Sequence, residues 1–190
     1  MKNYCLKWGS KYGPDYVNNL QDMLGEDIIC ITEDPTGLNC ETIPLPKTST
    51  KWWNKMVLFN EEFIKGPGVF YDLDIAIKNK VDWFKPDEYM KFLYTDWIDL
   101  KQLKDITVSK NHQYCSINSS IICWDENTKR QEIFDYYIKH KEKIEFTFSG
   151  IDTFIEHRFP DKYCLYDNVN VSSFNKNGTS GDVVLFEGMI

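Results

Sequence analysis

No stretch of this chain approaches the run of about 20 apolar residues that a membrane span requires. Its opening, Met1-Lys2-Asn3-Tyr4-Cys5-Leu6-Lys7-Trp8, lacks the apolar core of a secretory signal. Both absences set the expectation of a cytoplasmic chain with no membrane span. Paired cysteines are missing too. Cys5, Cys30, Cys40, Cys115, Cys123 and Cys164 are scattered without a Cys-x-x-Cys, most of them in apolar runs, and read as reduced core residues rather than disulfides or zinc ligands. His112, His140 and His157 show no metal-ligand spacing. Arginine is scarce, with only Arg130 and Arg158 among 22 basic residues, a bias that AT-rich coding produces. The net charge of -7 withholds the basic surface that supplies most nucleic-acid affinity, so no nucleic-acid partner is expected. A phosphate ligand would need a cation to accompany it.

What is present is enough for a core. At 190 residues, 42% hydrophobic and 27% charged, the chain reads as one soluble globular domain, without internal repeat or low-complexity linker. The 15% aromatic content suits core packing first, and stacking on carbohydrates or bases second.

Periodicity places the elements. Asn3 to Lys7 reads as a strand, followed by a polar turn and a helix that Pro14 and Asp15 open and Gly25 stops, with Val17, Leu20, Met23 and Leu24 inward. Strands follow at Asp27 to Thr32 and Glu41 to Leu45, separated by the turn Asp34-Pro35-Thr36-Gly37. Trp52, Met56, Phe59 and Phe63 recur at helical spacing, which predicts an amphipathic helix over Lys51 to Phe63. The order β-α-β-β-α-β predicts an α/β domain with a mostly parallel sheet flanked by helices, and a ligand site beyond the carboxyl ends of the strands. In the second half, strands are expected at Lys91 to Tyr94 and Ile106 to Val108, and two within Tyr114 to Trp124. A helix capped by Thr128 is expected to about Lys143, then a short one over Ile151 to His157, and a last strand at Asp182 to Phe186.

The most informative run is Val69-Phe70-Tyr71-Asp72-Leu73-Asp74-Ile75-Ala76-Ile77, an apolar strand interrupted by two carboxylates. Strand alternation puts Asp72 and Asp74 on one face with Leu73 opposite, where together they could hold a divalent cation. Burying unpaired acids costs several kcal/mol or more, on the order of what a metal or hydrogen bonds must offset. The plain alternative is a strand end whose acids cap the next loop. Hard oxygen ligands suit Mg2+ or Mn2+ on a diphosphate. Two enzyme classes use such a pair. Haloacid-dehalogenase-type phosphatases carry it on the first strand, whereas here it follows a long stretch of α/β structure; GT-A glycosyltransferases carry it late in the nucleotide-binding half.

More than one block then matches. Leu6-Lys7-Trp8-Gly9-Ser10-Lys11-Tyr12-Gly13, Thr32-Glu33-Asp34-Pro35-Thr36-Gly37, Trp52-Trp53-Asn54-Lys55, Tyr71-Asp72-Leu73-Asp74, and Ile117-Asn118-Ser119-Ser120 with Trp124-Asp125 follow one another in order. This order resembles the small bacterial and phage glycosyltransferase-like proteins related to the glycogenin type. The resemblance implies a single GT-A domain, with residues 1–80 as its nucleotide-binding half and residues 81–190 as its acceptor side. Trp8 and Tyr12 would lie by the nucleotide, Tyr12 against the base, where packing under the first helix is the competing role. Lys55 would approach the phosphates or donor sugar, and Asp72 and Asp74 would hold the metal. Asn118 would line the sugar pocket unless it only forms a turn. Asp152 would face the reacting carbon, although Ile151 occupies the position of the family's acid. The family's late metal-binding histidine is replaced by Glu187, whose oxygens can also ligate Mn2+. The sequence stops at Ile190, short of a basic residue that relatives place after this point.

The expectation is a metal-dependent glycosyltransferase moving a sugar from a nucleotide-diphosphate donor, UDP foremost, to an acceptor hydroxyl with retention of configuration. The alternatives are a nucleotide-sugar-binding module of the same fold that has lost transfer, and a phosphatase of the haloacid-dehalogenase type.

Overall fold

The computed structural model describes residues 1–79, 81–85, 87–95, 115–176 and 178–186. Ten strands form two sheets: β1 (Lys2–Lys7), β2 (Ile28–Thr32), β3 (Glu41–Pro44), β4 (Gly68–Tyr71), β5 (Ile75–Ile77), β6 (Met90–Tyr94), β7 (Ile117–Trp124), β8 (Tyr163–Leu165), β9 (Val171–Ser173) and β10 (Val183–Leu185). The larger sheet runs β3-β2-β1-β4-β7-β6-β8 and the smaller β5-β10-β9. Strands β3, β2, β1 and β4 are parallel. Strand β7 enters antiparallel between β4 and β6, and β8 then runs parallel to β6.

The large sheet is covered on both faces, which is why its strands read as nearly continuous apolar runs. Tyr4, Leu6, Ile29, Ile31, Phe70 and Ile122 point into one core layer. Their neighbours Cys5, Ile28, Cys30, Val69, Tyr71 and Cys123 point into the other. The first layer lies under the 3-10 helix Lys51–Phe59 and helices α2 (Gln131–Thr147) and α3 (Ile151–Arg158); the second lies under helix α1 (Pro14–Leu24). All six cysteines are free thiols, as expected. Among the described residues no helix is long and apolar enough to cross a membrane.

Helix α1 begins and ends on its sequence signals. Pro14 occupies the first turn, and Gly25 takes φ 64°, the left-handed closure that glycine adopts without a Cβ penalty. Met23, however, is exposed rather than inward.

Several expectations change. The predicted helix over Lys51 to Phe63 is a 3-10 helix that stops at Phe59. Asn60 ends it: its carboxamide oxygen accepts the N–H groups of Glu62 and Phe63 and starts a separate turn. The buried guanidinium of Arg130 then donates to the freed carbonyls of Leu58 and Ile64. Thr128 does not cap α2. Its hydroxyl accepts from Asp125 N and donates to the Asp87 carbonyl, while Glu61 Oε1 receives the N–H groups of Arg130 and Gln131 at 2.9 and 2.8 Å. The described part of Tyr114 to Trp124 holds one strand, β7, instead of two. Strands β8 and β9 were not anticipated. The strand expected at Ile106 to Val108 lies outside the described residues.

The run from Val69 to Ile77 is not one strand. Asp72 N still donates to the Ser120 carbonyl at 2.8 Å, extending the β4–β7 ladder by one residue. The chain then bends through Leu73 and Asp74 and joins the small sheet, where Phe186 N donates to the Asp74 carbonyl at 3.0 Å.

Candidate functional site

The bend carrying the two aspartates lies at the carboxyl end of β4, and the loop after β1 comes to the same edge. Between them is a cavity of about 360 Å³ lined by Leu6, Trp8, Tyr12, Lys55, Asp72 and Asp74, among others. Five of the residues singled out in the sequence therefore share one wall-to-wall space.

The two carboxylates are held from opposite layers of the protein. Lys55, buried on the 3-10 helix, places Nζ 2.6 Å from Asp72 Oδ2 and donates to Ser119 Oγ at 3.1 Å. Its ammonium also lies 5.5 Å from the centre of the Phe70 ring. From the other layer, the Tyr12 hydroxyl donates to Asp74 Oδ2 at 2.7 Å. Tyr12 is itself buried, edge-on to Tyr16, with the Lys11 ammonium 4.7 Å from its ring centre.

Burial and crowded charge set the protonation of this group. Burial pushes the Asp72 carboxyl up to about 6; Asp74 and Asp152 add to the rise, and Lys55 opposes it. For Lys55, burial works against its charge, but the fields of Asp72, Asp152 and Asp74 outweigh it and raise its pKa. Burial and the bond to Asp74 raise the Tyr12 phenol, so it stays a proton donor. The centre is thus a lysine ammonium facing the Asp72 carboxyl, with a phenol donating to Asp74.

The remaining expected residues fall nearby or elsewhere. Asp152 is half-buried in the first turn of α3, within the electrostatic reach of Lys55 and Asp72, while Ile151 beside it packs in the core. Asn118, half-buried on β7, uses its side-chain oxygen to accept Ser120 N at 2.9 Å and does not line the cavity. Glu187 lies outside the described residues.

A divalent cation fits the chemistry of the two acids. Each aspartate spends one oxygen, Oδ2, on a protein donor and keeps Oδ1, a hard ligand of the kind Mn2+ and Mg2+ take. Among the described residues no three His, Cys, Asp or Glu side chains gather around a common point, so further ligands would come from outside this set.

Trp52 belongs to the apolar face expected from the helical spacing, yet it is 47% exposed and lines the cavity with Lys51. The doublet Trp52-Trp53 was the available signal. Adjacent helical residues point well apart, so two large side chains in a row cannot both enter one core. Trp53 enters it, stacked 5.6 Å from Tyr137.

No protein-family model and no curated protein sequence matches the chain. Solved structures do. The galactosyltransferase LgtC, in complex with donor and acceptor sugar analogues, superposes with TM-score 0.62 at 10% identity, over 100% of this chain and 88% of that one. Mouse xyloside xylosyltransferase 1 gives 0.56 at 11% identity, over 98% and 97%. A glycosyltransferase involved in glycosylation of the major capsid of PBCV-1 gives 0.52 at 11% identity, over 100% and 95%. The architecture expected from the sequence is thus present: the chain has the GT-A glycosyltransferase fold.

Proposed function

We propose that this protein is a glycosyltransferase that moves a sugar from a nucleotide-diphosphate donor, a UDP-sugar, to an acceptor hydroxyl with retention of configuration. The observation that carries the reading is the meeting of Asp72, Asp74 and Lys55 on one cavity at the carboxyl edge of the parallel strands, in a fold shared with three glycosyltransferases. Residues 1–80 supply the donor side, and residues 81–190 the side that meets the acceptor.

In this reading Mn2+ or Mg2+, when bound, would supply the positive charge that a leaving diphosphate requires. The protein's own residues position and neutralise. Asp72 and Asp74, oriented by Lys55 and Tyr12, would hold the cation. The Lys55 ammonium is a buried positive charge on the cavity wall and would move from Asp72 toward the departing phosphate oxygens. Asp152 adds negative field near Lys55, and in this reading it faces the acceptor hydroxyl. Asn118 braces the β7 edge beside Ser119, a partner of Lys55. Retention through a leaving phosphate oxygen asks no side chain to act as base, so orientation and electrostatics carry the rate.

The test is calorimetry of UDP with and without Mn2+, on the native chain and on Asp72→Ala/Asp74→Ala. Binding that needs metal and disappears in the variant supports the site; UDP release from UDP-glucose or UDP-galactose then establishes transfer or hydrolysis. Metal-independent, mutation-insensitive UDP binding overturns the reading. One observation favours a second reading, a nucleotide-sugar-binding module: Ile151, at the position of the family's acid, is packed into the core. That reading predicts the same binding without UDP release. Turnover of p-nitrophenyl phosphate without nucleotide would instead favour a phosphatase.

A further inference from the structure

Trp52 is exposed, whereas its neighbours from Trp53 through Phe59 are all buried. Leaving an indole in water forgoes much of the stabilisation its burial would give. The backbone leading to it is also unusual. Lys51 takes φ 54°, a left-handed conformation that a lysine adopts at a cost, and it is one of two such non-glycine residues among those described.

The surroundings keep the indole accessible. Its pyrrole edge meets the start of α3 at Gly150, where a Cβ would stand 3.7 Å from Cδ1 and 3.9 Å from Nε1. The Lys51 ammonium lies 5.6 Å from the ring centre. The same cavity wall carries Lys55, paired with Asp72.

An exposed apolar ring in a cavity that also carries ammonium groups and carboxylates matches one ligand chemistry well. A pyranose ring presents a face of C–H bonds to an aromatic plane and hydroxyls around its rim to charged groups. We infer that Trp52 is the platform on which a pyranose ring rests in this cavity, a specificity-determining contact that deepens the glycosyltransferase reading and rests on it. The ring is that of the donor sugar or of the acceptor. A nucleobase is the weaker fit, because the carboxylates and ammonium groups that share the cavity with Trp52 suit hydroxyls and phosphates.

The experiment compares the native chain with Trp52→Ala and Trp52→Phe, each first checked for an unchanged unfolding midpoint. Titrations with Mn2+ present measure UDP, UDP-glucose and UDP-galactose by calorimetry. Saturation-transfer NMR measures methyl α-D-glucopyranoside and methyl β-D-galactopyranoside in the presence of UDP. If the donor sugar rests on Trp52, the affinity advantage of a UDP-sugar over UDP falls at least fivefold in Trp52→Ala and returns in Trp52→Phe. If the acceptor rests there, a methyl glycoside weakens at least fivefold and the UDP-sugar advantage stays. Equal weakening of UDP and UDP-sugars would mean base stacking and overturn the inference, as would no change in any ligand. A native chain that binds a methyl glycoside but no UDP would sink the proposed function alone, and loss of that glycoside in Trp52→Ala would still support the platform. Absence of all binding by the native chain overturns both.

Discussion

The hydroxyl of Tyr12 donates a 2.7 Å hydrogen bond to Oδ2 of Asp74, joining the loop after β1 to the bend after β4. Its counterpart is Lys55 on Asp72, so each acid of the pair is fixed by a different layer of the protein. The carboxylates are thereby oriented before any ligand arrives.

Removing the first of these contacts isolates its role. Tyr12→Phe keeps the ring between Tyr16 and Lys11 but leaves Asp74 without that donor. Partners that orient metal-binding carboxylates are typically worth about 10- to 100-fold in metal affinity. Mn2+ affinity in the presence of UDP, followed by electron paramagnetic resonance, is expected to fall at least several-fold. Stability should drop by about 1 kcal/mol, as for a typical lost hydrogen bond. Unchanged metal affinity would make the contact structural only.

Protonation of Asp72 gives a second handle. Its folded-state pKa, about 6, is raised above the ordinary carboxylate value of 3.8 mainly by burial. The folded protein therefore holds an extra proton between about pH 4 and 6, and this group's contribution to stability declines as pH rises through that window. Carbon-13 carboxyl NMR should show a titration midpoint near pH 6 for Asp72. In Lys55→Met, which removes the cation that lowers it, the midpoint should move higher. A midpoint that stays or falls would show that Lys55 does not act on Asp72 in solution.

The 3-10 helix that carries Trp52 and Lys55 depends on Arg130. The Arg130 guanidinium donates to two carbonyls, Leu58 and Ile64, and lies 5.3 Å from the Trp124 ring centre. A lysine cannot supply this planar fork. Arg130→Lys is expected to destabilise by about 2 to 4 kcal/mol, within the range for breaking buried charged contacts. Urea denaturation measures this, and a loss under 1 kcal/mol would contradict the assigned role.

Gly68 opens β4 opposite Trp124. A Cβ there would stand 2.6 Å from Trp124 Cζ2 and 2.8 Å from Tyr4 Cε2, and those two rings are stacked 5.6 Å apart. Gly68→Ala should therefore cost about 1 to 3 kcal/mol through overpacking, read as a lowered thermal midpoint. A stabilised variant would show that the ring pair yields easily.

The first half of the fold was legible because its signals are local. Pro14 and Gly25 bound α1, and the apolar runs of β1, β2 and β4 match strands covered on both faces. The second half hid its cues in distance. Glu61 supplies the acceptor that Thr128 was expected to provide at the start of α2, and Arg130, far along the chain, satisfies carbonyls at the end of the 3-10 helix. Strands β8 and β9 have three residues each, too few for a period to show. In the site, Asp72 and Asp74 could be named from the apolar run they interrupt, and Lys55, Trp8 and Tyr12 from the family resemblance; the structure places all five on one cavity. That Lys55 neutralises Asp72, or that Tyr12 is buried and bonded to Asp74, depends on two layers closing over one edge, which no local pattern encodes.

The three-residue bend between β4 and β5 makes Asp72 belong to one sheet and Asp74 to the other. The distance between the acids is thus a property of the seam, adjustable from afar: an insertion in the β9–β10 connection that shifted β10 would reach Asp74 through the Phe186 bond and leave Asp72 where it stands. Relatives could drift toward a wider or narrower grip, and so toward a larger or smaller ion, while every residue of the cavity wall stayed the same.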